Sequence, residues 1–321
     1  MDRTYIENHA ILSQLQGRDF LALLDYTSEE LQALLELAAT LKDERRRGIP
    51  HPLLAGKSLA LLFRKASTRT RISFEVGIQQ LGGFAIHLPP DELQMGRGET
   101  IEDTARVLSR YVDGILVRTY DQQELEDLAK HATIPIINGL TDLLHPCQVM
   151  ADLLTIREHR GELKGLRLVY VGDGNNMAHS LMVGGAKFGM HVCVCTPEGF
   201  GPKPEIVASA QACAAETGGS VELAHNPMEA AVDADILYTD VWVSMGQESE
   251  EQKRRQAFVG FCIDDALIRQ AKPDVLVMHC MPAHRGEEIT AEAFEGPHSV
   301  VFDQAENRLH AQKAIMAAIM R

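Results

Sequence analysis

Residues 58–71 read Ser-Leu-Ala-Leu-Leu-Phe-Arg-Lys-Ala-Ser-Thr-Arg-Thr-Arg. The first six form a short apolar run of the length and character of a buried strand. The rest set three hydroxyls (Ser67, Thr68, Thr70) and two guanidiniums (Arg69, Arg71) within five residues, ahead of a helix-like segment that stops at Gly82-Gly83. Strand, hydroxyl-rich turn and helix start together make an anion pocket. Backbone N–H groups and the positive helix end face the anion, and hydroxyls and Arg forks complete its shell. The plain alternative is an ordinary capped helix, because Ser or Thr at a helix start usually satisfies only backbone donors.

The same alternation continues outward. Residues 27–47 read as a helix, with Thr27 and Glu30 fitting a capping box and Leu31, Leu34, Leu35, Ala38 and Leu41 at helical spacing. Strands are expected near 84–88, 114–118 and 134–137, with helices near 101–110 and 121–131. Residues 91–99 form a polar, glycine-bearing loop. A second opening, Leu163-Lys164-Gly165-Leu166-Arg167-Leu168-Val169, resembles Leu54-Ala55-Gly56-Lys57-Ser58-Leu59-Ala60. Strands near 167–172, 190–195, 235–239 and 275–279 alternate with helices after it. Strands alternating with helices argue for parallel sheets covered on both faces. The expected fold is therefore α/β: two doubly wound parallel-sheet domains, with the active site in the cleft between them. The domains are drawn at 1–144 and 145–303, and a C-terminal helix at 304–321 packs back on the first. Ligands of such sheets bind beyond the carboxyl ends of strands. The turns at 64–71, 118–120, 172–180 and 279–286 all stand at such ends.

A chain of 321 residues fits two domains. Its formal charge of −14, from 31 basic and 45 acidic residues, argues against nucleic-acid binding, which needs a basic footprint. An acidic protein that binds an anion must gather its cations locally, and Arg64, Lys65, Arg69 and Arg71 do so. The six cysteines are scattered and suggest no disulfide framework. Cys193 and Cys195 fall in one expected strand and are read as facing opposite sides. No apolar run is long enough to span a bilayer, and the first residues carry no cleavage pattern. A cytoplasmic home without membrane partners is expected.

The second-half turns carry further chemistry. Gly172-Asp173-Gly174-Asn175-Asn176-Met177 resembles a dinucleotide fingerprint, but Met177 stands in place of the third glycine and no acid follows the next strand cleanly. A nicotinamide enzyme is disfavoured on that ground. Adjacent His279 and Cys280 lack zinc-ligand spacing, so no metal is expected.

Taken together, these segments resemble the aspartate/ornithine carbamoyltransferase superfamily, and its ornithine branch in particular. Ser67-Thr68-Arg69-Thr70-Arg71 is similar to the carbamoyl-phosphate motif, and His145-Pro146-Cys147-Gln148 to its second element. Asp240-Val241-Trp242-Val243-Ser244-Met245-Gly246 resembles the ornithine loop. His279-Cys280-Met281-Pro282-Ala283-His284-Arg285-Gly286 resembles the His-Cys segment of the same branch, with Met281 where Leu is usual.

The resemblance implies the reaction of carbamoyl phosphate with L-ornithine to give L-citrulline and phosphate, in arginine metabolism and without a cofactor. Ser67, Thr68, Arg69, Thr70, Gln94, Arg118, His145, Gln148, Cys280, Met281 and Arg308 would bind carbamoyl phosphate. Gln94 would come from a neighbouring subunit of a homotrimer, or a multiple of trimers, with shared sites. Asn176, Asp240, Ser244 and Met245 would cradle ornithine. Arg118, His145, Asp240 and Cys280 would carry catalysis, with Cys280 the candidate acceptor of the δ-amine proton and Asp240 tuning Cys280 and orienting the substrate. That amine has an ordinary pKa of about 10.4 and must be neutral to attack. The Met281–Pro282 bond would be cis. The alternatives are a carbamoyltransferase for another amine such as putrescine, and a non-catalytic binding protein on the same fold. Arg69→Ala is expected to abolish carbamoyl-phosphate binding in titration calorimetry while far-UV circular dichroism stays unchanged; unaltered affinity would refute the phosphate clamp.

Overall fold

Helix α1 (Ser28–Arg46) starts where its local chemistry directs. Glu30 N–H donates to Thr27 Oγ1 at 3.2 Å, and Thr27 N–H donates back to Glu30 Oε2 at 2.8 Å. In the computed structural model, which describes residues 10–89, 98–244 and 248–321, the chain forms two units. One comprises Met1–Leu154 with Asn307–Arg321, the other Thr155–Glu306.

In the first unit β1 (Ser58–Phe63), α2 (Thr68–Gln80), β2 (Phe84–Leu88), α3 (Ile101–Leu108), β3 (Gly114–Arg118), α4 (Gln122–His131) and β4 (Ile136–Leu140) alternate. The sheet is parallel throughout, in the order β2-β1-β3-β4. β1, β3 and β4 are buried along their full length, as strands covered on both faces must be. The chain winds from β1 to β2 on one side and then to β3 on the other, so strand order reverses between β1 and β3. Phe63 pairs with Arg118 at that reversal, and Arg64 N–H donates to the Arg118 carbonyl at 2.8 Å. The hydroxyl-rich turn and Arg118 therefore share the switch point, where doubly wound sheets bind ligands.

Helix α5 (Pro146–Arg160) carries the chain into the second unit. There β5 (Arg167–Val171), α6 (Asn176–Lys187), β6 (His191–Cys195), α7 (Pro204–Thr217), β7 (Ser220–Ala224), β8 (Ile236–Thr239), α8 (Glu251–Ala257) and β9 (Leu276–His279) follow. This sheet is also parallel, in the order β7-β6-β5-β8-β9. Its order reverses between β5 and β8, so the turns after Val171 and Thr239 are neighbours. Thr239 Oγ1 ties them by donating to the Val171 carbonyl at 2.6 Å. Helix α9 (Val301–Ile319) ends the chain, and its residues from Asn307 onward belong to the first unit. Lys42 Nζ holds it there through Asn307 Oδ1 at 2.8 Å, and Lys313 Nζ meets His51 Nε2 at 2.7 Å.

Three sequence expectations change. Strand β7 was not foreseen, because its half-exposed, Glu-bearing sequence at a sheet edge carries little apolar signal. β4 begins after Pro135, which lacks a ladder donor, and runs through Asn138, whose amide donates to the Leu21 carbonyl at 2.9 Å. Cys193 and Cys195 lie in one apolar cluster with Val169 and Val171, not on opposite sides. Residues two apart on a strand share a face.

Gly174 lies against a neighbouring turn: a Cβ there would sit 2.3 Å from Gly201 C and Pro202 N. Backbone cannot retreat as a side chain can. Gly174→Ala is expected to destabilise the protein by about 3 kcal/mol, read as a lower urea midpoint; an unchanged midpoint would show that the turn can shift.

Candidate active site

The anion pocket of the first unit forms around the start of α2. Ser67 caps that helix, accepting from Thr70 N–H at 3.2 Å, and its hydroxyl donates to Thr70 Oγ1 at 3.0 Å. Arg308, from α9, reaches the same place. Its Nη2 donates to Thr70 Oγ1 at 2.7 Å and its Nη1 to Gln148 Oε1 at 3.0 Å. Gln148 Nε2 in turn donates to Asp152 Oδ1 at 2.8 Å, which fixes the orientation of its amide. Thr70, Arg118, His145, Gln148 and Arg308 are all buried, whereas Thr68 is exposed and Ser67 and Arg69 are half-buried.

Charge in this pocket is one-sided. Burial holds the His145 imidazole well below its ordinary pKa, and the cations Arg308, Arg118, Lys65 and Arg69 lower it further. A neutral imidazole among cations is what a site for a multiply charged anion provides: attraction from fixed charges and a donor or acceptor that does not titrate. The local cation run is only partly responsible. Arg64 turns to Glu124, which also takes the Thr119 hydroxyl. Lys65 pairs with Asp142 at 2.9 Å, and Arg71 with Glu75 at 2.9 Å. The field comes largely from Arg118 and Arg308, brought from β3 and α9.

The second unit builds a different site at its own switch point. Asn175 caps α6, accepting from the Met177 and Ala178 N–H groups. Its Nδ2 donates to Asp240 Oδ2 at 2.9 Å across the β5 and β8 turns. Asp240 Oδ1 accepts from Val241 N–H at 2.8 Å and from the Cys280 thiol at 3.0 Å. Tyr170, whose hydroxyl donates to Asn175 Oδ1 at 3.3 Å, is pushed well above its ordinary pKa by burial and then by the charge of Asp240.

Behind Cys280 a buried relay fixes the chain. Met281 N–H donates to His279 Nδ1 at 2.8 Å, so Nε2 carries the ring proton and donates to Glu288 Oε1 at 3.0 Å. Met281 has a positive φ of 58°, and the Met281–Pro282 peptide is cis. Asp240, His279 and Cys280 place potential ligand atoms within 4.8 Å of one another, but both His279 nitrogens are already committed. That set does not suit a metal ion.

The structure thus gathers Ser67, Arg69, Thr70, Arg118, His145, Gln148 and Arg308 in the first unit. In the second it joins Asp240 to Cys280, with Asn176 opening α6, Ser244 ending the described part of the turn after β8, and Met281 following Cys280. Gln94 and Met245 lie outside the described residues. Sequence reasoning missed Asn175 and Glu288. Asn175 had a usable signal, because Asn ahead of a helix is a strong cap. Glu288 had none, since its partner His279 is recognisable only after the chain folds back.

The chain matches two family models over most of its length. Residues 18–158 match the carbamoyl-phosphate-binding domain of aspartate/ornithine carbamoyltransferase, and residues 164–319 match the aspartate/ornithine-binding domain. It is 58% identical to the ornithine carbamoyltransferase of Thermococcus kodakarensis over 306 residues, 95% of this chain and 97% of the relative. It is 57% identical to the anabolic ornithine carbamoyltransferase of Pyrococcus furiosus, with 95% and 97% covered. The crystallographically named ornithine carbamoyltransferase of Thermus thermophilus superposes with a TM-score of 0.85 at 42% identity, covering 94% of this chain and 99% of that one. The solved Pyrococcus furiosus protein gives a TM-score of 0.93 at 57% identity, covering 95% and 98%.

His145 gives a pH signature. Its folded pKa lies below that of the unfolded chain, so below about pH 6.5 only the unfolded chain takes up the proton and stability falls as pH falls. His145→Gln removes this contribution. The variant should lose less stability than the parent in urea unfolding between pH 7 and pH 5; parallel losses would show that His145 is protonated in the folded protein.

Proposed function

This chain belongs to the aspartate/ornithine carbamoyltransferase family, and on that premise we propose that it transfers the carbamoyl group of carbamoyl phosphate to the δ-amine of L-ornithine, giving L-citrulline and phosphate. The observation that carries the acceptor is Asp240 held by Asn175 and Cys280. A carboxylate suits an incoming amine and opposes an acceptor that brings a second carboxylate, as aspartate would. Near-full-length relatives from 53% to 58% identical bear the same name, which supports the ornithine reading over other amines.

The roles follow from charge and donor placement. The first unit takes carbamoyl phosphate, and the second takes ornithine. As the bond to phosphate breaks, negative charge grows on the leaving group. The α2 N-terminus, Ser67, Thr68, Arg69 and Arg308 oppose that charge, most strongly in the transition state. Arg118, Thr70 and neutral His145 polarise the carbamoyl carbonyl, and Gln148 Oε1 accepts from the carbamoyl NH2. Asp240, Asn176, Ser244 and the Met245 backbone receive the α-amino and α-carboxylate groups. Cys280 and the Met281 carbonyl orient the δ-amine. Because the thiol already donates to Asp240, the amine proton passes to the Cys280–Asp240 pair, whose carboxylate has an oxygen free of the thiol to accept it by way of the sulfur.

A homotrimer with shared sites is the assembly we favour. Edge strand β2 presents Phe84 and Ile86, 54% and 42% exposed, and α2 presents Ile72 at 52%. Beside them a cavity of about 490 Å³ is lined by Ser67, Thr68, Arg71, Ile72, Glu75 and His87. An exposed apolar sheet edge next to a phosphate site is suited to cover by a second copy, which would bring Gln94 with it. No helix among the described residues is long and apolar enough to cross a membrane. A cytoplasmic role in arginine biosynthesis is the reading we favour, and the relative named as anabolic supports its biosynthetic direction.

Purified protein given carbamoyl phosphate should form citrulline with ornithine and show little turnover with putrescine or aspartate; faster turnover of putrescine would overturn the assignment. Cys280→Ser should lower kcat by about a hundredfold, in the range of lost proton-transfer assistance, a much larger effect than its loss of carbamoyl-phosphate affinity. Equal losses in both would remove Cys280 from the amine.

A further inference from the structure

Beyond the Thr239–Val171 bond at their base, the turns after β5 and β8 are tied twice more. One tie is Asn175 to Asp240. The other is Arg254, on α8, the helix that follows the Asp240 turn in sequence. Its guanidinium is buried and uses its fork on three acceptors. Nη1 lies 2.9 Å from Asp173 Oδ2 and donates to the Trp242 carbonyl at 3.2 Å, and Nε donates to Glu250 Oε2 at 3.1 Å. The guanidinium carbon stands 5.3 Å from the centre of the Phe200 ring.

Asp173 is the seat of this arrangement. It sits in the turn after β5, two residues before the Asn175 cap, and its side chain is about as buried as that of Arg254. Burial raises its pKa to about 6; Arg254 opposes the shift, while Asp240 and Glu250 add to it. An ion pair this deep is a poor source of net stability, because desolvation offsets most of the attraction. Its geometric effect is large. One planar cation fixes the Trp242 carbonyl relative to Asp173, and so fixes the segment from Asp240 to Ser244 against the start of α6. Lysine, with a single point charge, cannot reproduce that fork.

We propose that Arg254, seated on Asp173, is a positioning residue for the amino-acid substrate: it aligns Asp240 and Ser244 with Asn176 so that all three meet the α-amino and α-carboxylate groups together. The inference rests on the ornithine reading above. The clamp acts on the end of the substrate that distinguishes an α-amino acid from a simple diamine. Its loss therefore weakens ornithine binding and narrows the preference for ornithine over putrescine, with carbamoyl-phosphate binding unaffected.

The test uses the full-length protein, with Arg254→Met, Asp173→Asn and the double variant. Each is assayed for citrulline formation, for putrescine turnover and for the urea midpoint. Arg254→Met leaves Asp173 buried without its cation and should lower the midpoint. The double variant removes both charges and should recover much of that stability. The proposal requires that the KM for ornithine stay raised about tenfold or more in the double variant, the scale of a lost charged hydrogen bond, while the KM for carbamoyl phosphate stays within about twofold. Asp173→Asn should shift the ornithine KM in the same direction, and it decides the matter if the Arg254 variants do not fold. An ornithine KM that returns to the parent value along with stability, or that moves in step with the carbamoyl-phosphate KM, would overturn the proposal and leave a purely structural ion pair. A parent protein that forms no citrulline would instead overturn the ornithine reading itself.

Discussion

The Arg308 guanidinium, 4% exposed, bridges Thr70 and Gln148, which stand 238 and 160 positions away from it in the chain. The first unit's chemistry depends on that contact. A buried cation needs acceptors, and here the Thr70 hydroxyl in the first turn of α2 and an oriented amide supply them. Burial holds His145 well below its ordinary pKa, Arg308 with Arg118 and Arg69 lowers it further, and the same cations give the pocket a positive field suited to an anion. The arrangement also explains why the C-terminal residues return to the first unit: α9 delivers Arg308, and its Lys313 is buried against His51 and Gln80.

The second unit solves a different problem with the same topology. In both sheets strand order reverses next to the first strand, and the polar residues collect at the carboxyl ends on either side of the reversal. In the first unit that place is cationic. In the second it centres on Asp240, whose two oxygens are held by Val241, Cys280 and Asn175. One architecture therefore offers opposite electrostatics, suited to an anionic donor in one unit and a cationic acceptor in the other. The His279–Glu288 relay and the Arg254–Asp173 pair do not alter those charges. They hold the backbone that carries them.

Much of the fold was legible because its signals are local. Thr27 with Glu30, and the apolar run into Ser67, act within one turn or one strand. β7 was not legible, since an edge strand with exposed Glu222 and Leu223 has no apolar stripe to reveal it. The cation run at 64–71 was legible as charge but misleading as a field. Glu124 and Asp142, which pair with Arg64 and Lys65, are 60 and 77 positions away. Asn176 drew notice through its motif, while its neighbour Asn175 makes the bond to Asp240.

By itself the sequence determined the strand-turn-helix units, the caps that start them and the chemical character of each turn, because these depend on neighbours within a few residues. Only the tertiary structure decided which turns stand beside which, and hence that Arg308 meets Thr70, that Cys280 donates to Asp240, and that Arg254 closes on Asp173. Those contacts join segments remote in the chain. Their geometry comes from sheet order and packing, which place a side chain within hydrogen-bond reach of its partner to a fraction of an ångström, a scale that residue type and spacing do not encode.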